Sequence, residues 1–579
     1  MPPLPPRVIH VGSSCADAYL YLSSPGERGR YVALSHCWGG VSPLITTLSC
    51  FDRFQIALPQ PIPQTFADAM DVTRRLGYKY LWIDSLCIIQ DFAADWGKHA
   101  TRMNYIYSQA QLTISADGAQ DSLAGFLHPQ NKRRETVAVK CKTFTADHLR
   151  EERTHTIHVR QRGKLACQLP YHDFFPGYPW ERYSSASVHD SSPADSPQVW
   201  DPNFRTMRSK LSTRAWAFQE RLLSPRTLHF APSEMAWECR SICSCECSAT
   251  NEPRAILAGS LLKGSKALDL APVDETDPQS AYNVEAAWRR DIVEEFTRLD
   301  LTRPTDRLPA LAGLAARAAK SRPGDQYMAG VWRRSLAADL LWHITGERAS
   351  HRIVCDNMPT WSWASVTGEA HYPLQRYSLA WYNRRDPEPS TLPLMRVLRT
   401  QYTAKSESLF ASGPRLPASI TLWGYLLKIN SLRRLSTYQY EIQWPAGIDL
   451  HPNTVVAADV HCGNSTNEDT CTGETSSHDN ISEALSKQRD LFVLVGYIDK
   501  GEVFGLLLAR CPSRRSVIPS FERIGCVNGT FNERETFLER RSNGIVDFGP
   551  TDEWADQKVT HSKSASFLGG RGKSLLKIW

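Results

Sequence analysis

Two stretches of this chain run apolar and then stop on reactive side chains. YLWIDSLCIIQD, residues 80–91, ends in an acid, a hydroxyl, a thiol and an amide at Asp84, Ser85, Cys87 and Gln90. YVALSHCW, residues 31–38, ends in Ser35, His36, Cys37 and Trp38, and QLTISAD closes on Ser115 and Asp117. A carboxylate in such a place can steady a developing positive charge or move a proton, while hydroxyl, amide and indole groups orient a ligand. A cysteine nucleophile needs a base, so Cys37 or Cys87 has to lie beside His36. Adjacent residues on a strand face opposite ways, which sets Cys37 aside and leaves the pair His36 and Cys87 open. Each residue alone is also at home in a structural role, an aspartate capping a loop or a cysteine filling an apolar gap. Function is favoured by their grouping rather than by any one of them.

A third dense segment, STRAWAFQERLLSPRTLHF over 212–230, combines Arg214, Trp216, Gln219, Glu220 and Arg221. Read plainly, it is a packed helix with Glu220 bridged to an arginine. Read for function, it covers the strand ends and lends them Glu220 or Arg214. The candidate catalytic pair is therefore Asp84 and Glu220, and the candidate ligand-binding rim is Ser35, His36, Trp38, Ser85, Cys87, Gln90, Arg214 and Trp216. CRSICSCEC sets Cys239, Cys243, Cys245 and Cys247 close together. Structural zinc sites favour paired cysteines about two to four residues apart, and Cys-x-Cys-x-Cys is cramped for one tetrahedral ion. A turn-rich loop of free thiols is expected there, with zinc as the alternative. No Walker loop, G-x-G-x-x-G, G-x-S-x-G or H-E-x-x-H occurs, so the common nucleotide, hydrolase and zinc-protease readings lack support.

For these groups to meet, the strands that carry them must belong to one sheet. Residues 31–117 alternate strand and helix signals. YVALSHCW ends at Gly39-Gly40, a chain break. In IPQTFADAMDVTRRLG, Thr65 and Asp68 have capping-box spacing, Phe66, Ala69, Met70, Thr73 and Leu76 share a helical face, and Gly77 suits the C-terminal cap. YLWIDSLCI reads as a strand covered on both faces. A second helix starts near Asp95, with Trp96, Ala100, Met103, Tyr107 and Ala110 as its buried stripe, and QLTISAD returns as a third strand. Strand-helix-strand-helix-strand implies right-handed crossovers in a parallel sheet, whose ligands sit beyond the carboxyl ends of the strands. The polar endings would then share one rim.

The expected organisation is a lead-in over 1–30, an α/β domain over 31–250 with a Ser/Pro/Asp-rich insertion at 183–200, and a helical middle over 251–370 followed by a β-rich region over 371–579. In the middle region Val284, Trp288, Ile292, Phe296 and Leu299 have helical spacing. In the last, LFVLVGYIDKGEVFGLLLAR reads as a hairpin turning at Asp499 to Gly501, and the polar stretch 461–487 does not pack. The 15 cysteines are odd in number and scattered, which fits reduced thiols. No stretch approaches the roughly 18 apolar residues of a membrane helix, and MPPLPPRVIHVGSS lacks the pattern of a signal peptide. A soluble, cytoplasmic protein with no membrane span is expected. A net charge of +6 with no basic, aromatic-interleaved stripe gives no support for nucleic-acid binding.

Four motifs, YVALSHCWGG, LPQPIPQTFADAMDVTRRLGYKYLWIDSLCIIQD, DWGKHATRMNYIYSQAQLTISA and LSTRAWAFQERLLSPRTLHF, together resemble the fungal heterokaryon-incompatibility (HET) domain, in family order over about residues 31–230. DRLPALAGLA, YMAGVW, LLW, MPTWSWASVTG and FERIG are similar to regions often attached downstream of such domains in filamentous fungi. The resemblance implies non-self recognition between fungal cells, a form of innate immunity that ends in programmed cell death and works through protein partners or self-assembly. The family is considered similar to TIR domains, which implies an α/β, flavodoxin/TIR-like parallel sheet with flanking helices. Some TIR domains cleave NAD with a glutamate on a helix beside the strand rim, so the resemblance makes NAD a candidate substrate, with no resident cofactor implied. The family usually reads D-W-x-x-E in the second helix, and this chain has Asp95, Trp96 and then His99. An imidazole cannot replace a carboxylate that steadies positive charge. NAD cleavage here therefore requires Asp84 or Glu220 in that role, and a scaffold that keeps the fold without activity is the reading His99 favours.

Overall fold

The structure, a computed structural model, describes residues 1–127, 137–144, 152–159, 209–246, 284–373, 392–404, 414–443, 455–459, 481–511, 518–530 and 573–579, with short gaps inside these spans. The stretch 183–200 and most of 461–487 lie outside the described residues. The chain forms two compact units: Met1–Val273 with Leu299–Thr302 and Pro309–Ser321, and Asp274–Arg298 with Arg303–Leu308 and Arg322–Trp579.

The first unit is built on an eight-stranded sheet. Its strands are β1 (Arg7–His10), β2 (Tyr19–Leu22), β3 (Tyr31–Ser35), β4 (Tyr80–Trp82) and β5 (Leu112–Ser115), then, after a separate hairpin of β6 (Val137–Phe144) and β7 (Glu152–Val159), β8 (Arg226–Phe230), β9 (Met235–Cys239) and β10 (Cys243–Cys245). They lie in the order β10-β9-β8-β5-β3-β4-β1-β2. The four central strands β8, β5, β3 and β4 are parallel, and antiparallel pairs extend both edges. Val32, Ala33, Leu34, Leu81, Trp82 and Ile114 are fully buried, as the apolar runs of a doubly covered parallel sheet require.

The helices of this unit are α1 (Phe51–Phe54), α2 (Gln64–Arg75), α3 (Asp84–Cys87), α4 (Ala93–Ala100), α5 (Met103–Gln109), α6 (Ala215–Leu223) and α7 (Ala312–Ala318). Three local readings of the sequence need correction. Thr65 and Asp68 do not cap α2, whose N-cap is Pro63. Thr65 Oγ1 donates to Asp121 O at 2.8 Å and Asp68 accepts from Phe126 N and Leu127 N at 2.7 and 3.0 Å, so the pair ties the 121–127 loop to the helix. The strand through YLWIDSLCI stops at Trp82: Asp84 Oδ1 accepts from Ser85 N at 2.7 Å, a local bond that favours a turn over continued pairing, and α3 begins. The stripe from Trp96 to Ala110 is divided between α4 and α5 rather than carried by one helix.

In the second unit a helix runs from Val284 to Thr297, wound as a π-helix over Trp288–Glu294, and buries Val284, Trp288, Ile292 and Phe296 as their spacing predicts. The β-rich part is a ten-stranded sheet. Within it Ser419–Lys428, Leu491–Asp499, Glu502–Arg510, Ser520–Thr530 and Lys573–Ile578 pair in a closed, barrel-like ring. Closure removes free edges, the liability of any exposed strand. The expected hairpin is present, in register Asp499↔Glu502.

Candidate functional site

Between β3 and β5 the winding of the parallel sheet changes direction, because the chain leaves β3 for β4 on one side and reaches β5 on the other. Crevices of open α/β sheets form at such a point, beyond the carboxyl ends of the strands. Gly39 makes the turn that ends β3: its φ is +79°, and a Cβ there would lie 2.2 Å from Asp121 Cβ.

The rim is assembled from four segments. Asp84, the first residue of α3, accepts from Trp38 Nε1 at 2.9 Å and lies 3.7 Å from His36 Nδ1. Gln90 Nε2 donates to Asp84 O at 3.0 Å, which braces the α3 turn. Ser35, the last residue of β3, donates through Oγ to Glu220 Oε2 at 2.5 Å. Glu220 arrives on α6, whose N-cap Arg214 donates from Nη1 to His36 O at 3.1 Å. Tyr107 of α5 neighbours the Glu220 carboxyl and donates to Leu34 O at 3.1 Å. Ser35, His36, Tyr107 and Glu220 are buried, while Trp38, Asp84, Arg214 and Trp216 are half-buried.

Burial first, and then the Asp84 carboxylate, lift Glu220 to about 7, against the opposing pull of Ser35, Arg214 and Tyr107. The group is thus poised to give or take a proton near neutrality. Burial holds His36 below its ordinary value, with Asp84 opposing, so the ring is neutral at pH 7. Neither of its ring nitrogens has a hydrogen-bond partner, so the pairing of His36 with Cys87 is not formed. Cys87 is fully buried, with Arg7 and Ile9 of β1 among its neighbours, and burial pushes its thiol up to about 12. Burial raises Cys37 as well, so neither thiol is a ready nucleophile. Ser85 is fully buried with an unpartnered Oγ.

Residues 31–220 match the family model described as Heterokaryon incompatibility protein (HET). The chain carries a HET domain. No curated protein and no solved structure matches the chain. The HET match contains every rim residue from Ser35 to Glu220, so the residues brought together in space are those the family model covers. β1, which precedes the match, supplies the surroundings of His99: Arg7 Nη2 lies 2.5 Å from Asp95 Oδ2 and 2.5 Å from His99 Nε2. Burial first, and then Arg7, bring His99 down to about 4, which makes it a neutral acceptor for the guanidinium.

A buried network next to the rim was not legible as a site in the sequence. His229 of β8 lies between Asp117 Oδ2, 2.7 Å from Nδ1, and Glu238 Oε2, 3.1 Å from Nε2. Burial pulls this imidazole down, but Asp117 and Glu238 outweigh it and hold it above its ordinary value. Arg221 of α6 grips Glu238 with two nitrogens at 2.9 and 2.8 Å, and Ser209 Oγ donates to Asp117 Oδ1 at 3.0 Å. The signal was the alternation in RTLHF, which places a histidine beside the end of β5. Of the cysteine cluster, Cys239 ends β9, Cys243 and Cys245 lie on β10, and Cys247 is outside the described residues. Among the described residues no group of three or more histidine, cysteine or acidic side chains is arranged to hold a metal ion.

Proposed function

We propose that this HET-domain protein acts in fungal non-self recognition, its first unit serving as a death-inducing module of the cytoplasm that works by assembly with itself or with a protein partner. The observation that carries the reading is the match over residues 31–220, whose separate motifs meet at one rim. A flavodoxin/TIR-like classification is supported by the parallel strands, which in chain order stand second, first, third, fourth across the sheet. The test is expression of the full chain and of its Asp84→Asn, Glu220→Gln double variant in a filamentous fungus. Death with the first and survival with the second is expected, and full viability with confirmed wild-type protein would sink the proposal.

A second reading is favoured by one specific feature, the half-buried Asp84 carboxylate beside a Glu220 that titrates near neutrality. This is the equipment of a nucleotide glycohydrolase acting on NAD. As the bond to nicotinamide breaks, positive charge develops on the ribose; Asp84 steadies it, Trp38 offers a planar face at the mouth, and Glu220 takes the proton of the attacking water. Purified protein incubated with NAD is expected to release nicotinamide faster than an Asp84→Ala, Glu220→Ala control. Equal rates remove this reading and leave the module a scaffold.

A further inference from the structure

The first unit has a second concavity at the opposite edge of its sheet, where β3, β5 and β8 begin rather than end. It is an open concavity of about 540 Å³, and the exposed Arg28, Arg30 and Arg226 are among the residues that line it, with Gln109 and Gln111. None of the lining residues is acidic. The three arginines come from two separate segments: Arg28 and Arg30 precede β3, and Arg226 opens β8. Two are held in place through a single nitrogen each. Arg28 Nη1 donates to Met1 O at 2.9 Å, and Arg226 Nη1 donates to Gln111 O at 3.1 Å. The wall behind Arg28 is fixed by backbone pairing, Leu4 N to Glu27 O at 2.8 Å and Gly29 N to Pro2 O at 3.0 Å. Among the described residues none of the three meets a carboxylate, and Arg30 makes no side-chain hydrogen bond at all.

Three cations facing one space repel each other unless something negative offsets them. Part of the offset is internal, because α5 and α6 end at this edge, at Gln109 and Leu223. A helix C-terminus is worth about half a negative charge, so two of them amount to about one against three. The residual charge, though partly screened by water at this open edge, favours an anion from outside. Guanidinium is the side chain best matched to phosphoryl oxygens, since its donors form a planar fork that binds two of them at once. Ligand cavities run from about 300 to about 1,000 Å³, so the volume here exceeds what one phosphate needs, and the spread of the arginines around it suits charge divided over more than one group.

We infer that this cavity binds a small soluble polyanion carrying two or more phosphoryl groups. The site is independent of the rim and of the reading proposed for it. The test is calorimetric titration of the full chain with pyrophosphate and, separately, with inorganic phosphate, at low and at raised salt. Pyrophosphate is expected to bind once per chain, at least about tenfold tighter than phosphate, and more weakly at raised salt. Arg30→Gln touches no bond that holds the fold and is expected to weaken pyrophosphate about tenfold, the cost of one charge-assisted contact. Arg226→Gln is expected to do the same, and Glu220→Gln, at the rim, to change nothing. Absence of pyrophosphate binding, or undiminished affinity in Arg30→Gln, overturns the inference. So does a loss seen in Arg214→Gln but not in Arg30→Gln, which would place the anion at the rim.

Discussion

Among the described residues Glu220 pairs with no cation of its own: a serine hydroxyl donates to it, and Arg214 acts on it only as one of several opposing influences. Its titration near 7, against 4.5 for an ordinary glutamate, ties its chemistry to stability. Between those values the folded chain holds a proton that the unfolded chain has released, so the fold is favoured on the acid side and loses that advantage as pH rises through about 7. Glu220→Gln is neutral throughout and removes the dependence. Denaturant unfolding measured from about pH 5 to about pH 8 should show the wild type losing of the order of 3 kcal/mol relative to the variant. Parallel curves would mean that the carboxyl ionises normally and is no proton carrier. Residue type alone was enough to nominate Ser35, Asp84 and Glu220 as candidates, and the fold brings the Ser35 hydroxyl onto the Glu220 carboxyl. It was not enough for Cys87, whose thiol looks reactive beside an aspartate but has no exposure. Nor did it explain His99, because the Arg7 that accommodates a neutral imidazole lies on a strand ahead of the motifs.

At the scale of elements, the alternation of apolar runs and helical stripes indicated β3, α2, β4 and β5, since period is a local property, whereas the cap of α2 and the end of β4 were misread. Strand order is not local, and nothing in the apolar run of β4 says that β3 and β1 will be its neighbours. The same limit hid the network that fixes α6. Arg221 and Glu220 are consecutive on that helix, one gripping Glu238 and the other meeting Ser35, so whatever holds the first aims the second. His229 is the keystone, because it is the positive group between Asp117 and Glu238, both of which are buried. His229→Gln keeps the size but not the charge and leaves Asp117 without its cation. Breaking a buried pair from one side costs about 3–5 kcal/mol, and the urea midpoint should fall accordingly. A fall of less than about 1 kcal/mol, the worth of an exposed ion pair, would show the network to be incidental.

For the molecule as a whole, four of the five downstream motifs turn out to be parts of one knot in the second unit, whereas most of DRLPALAGLA belongs to the first unit. The Gly330 carbonyl of YMAGVW accepts from Trp288 Nε1 at 3.1 Å and from Trp363 Nε1 of MPTWSWASVTG at 2.9 Å. Trp342 of LLW donates to Trp361 O at 3.1 Å. Arg523 of FERIG, fully buried, donates to the carbonyls of Leu340 and Trp342, pairs with Asp459 at 3.0 Å and stacks 3.4 Å from the Trp342 ring centroid. In the sequence these were isolated words, because the groups that tie them together are backbone carbonyls, those of Gly330, Leu340, Trp342 and Trp361, which no side-chain pattern announces. Gly330 is where the knot is least able to give. Its φ is +95°, and a Cβ there would stand 2.7 Å from Trp363 Nε1, on a ring already tethered to the same residue. Gly324 is the matched control, with φ +73° and only an arginine nitrogen 3.7 Å from an added Cβ. Gly324→Ala should cost about 1–2 kcal/mol, the penalty of a left-handed backbone alone. Gly330→Ala should cost about 1–3 kcal/mol more for the overpacked ring, with a change in near-ultraviolet circular dichroism as the tryptophans shift. Equal unfolding midpoints for the two variants would mean that the indole ring moves aside freely and that the knot does not hold the second unit together.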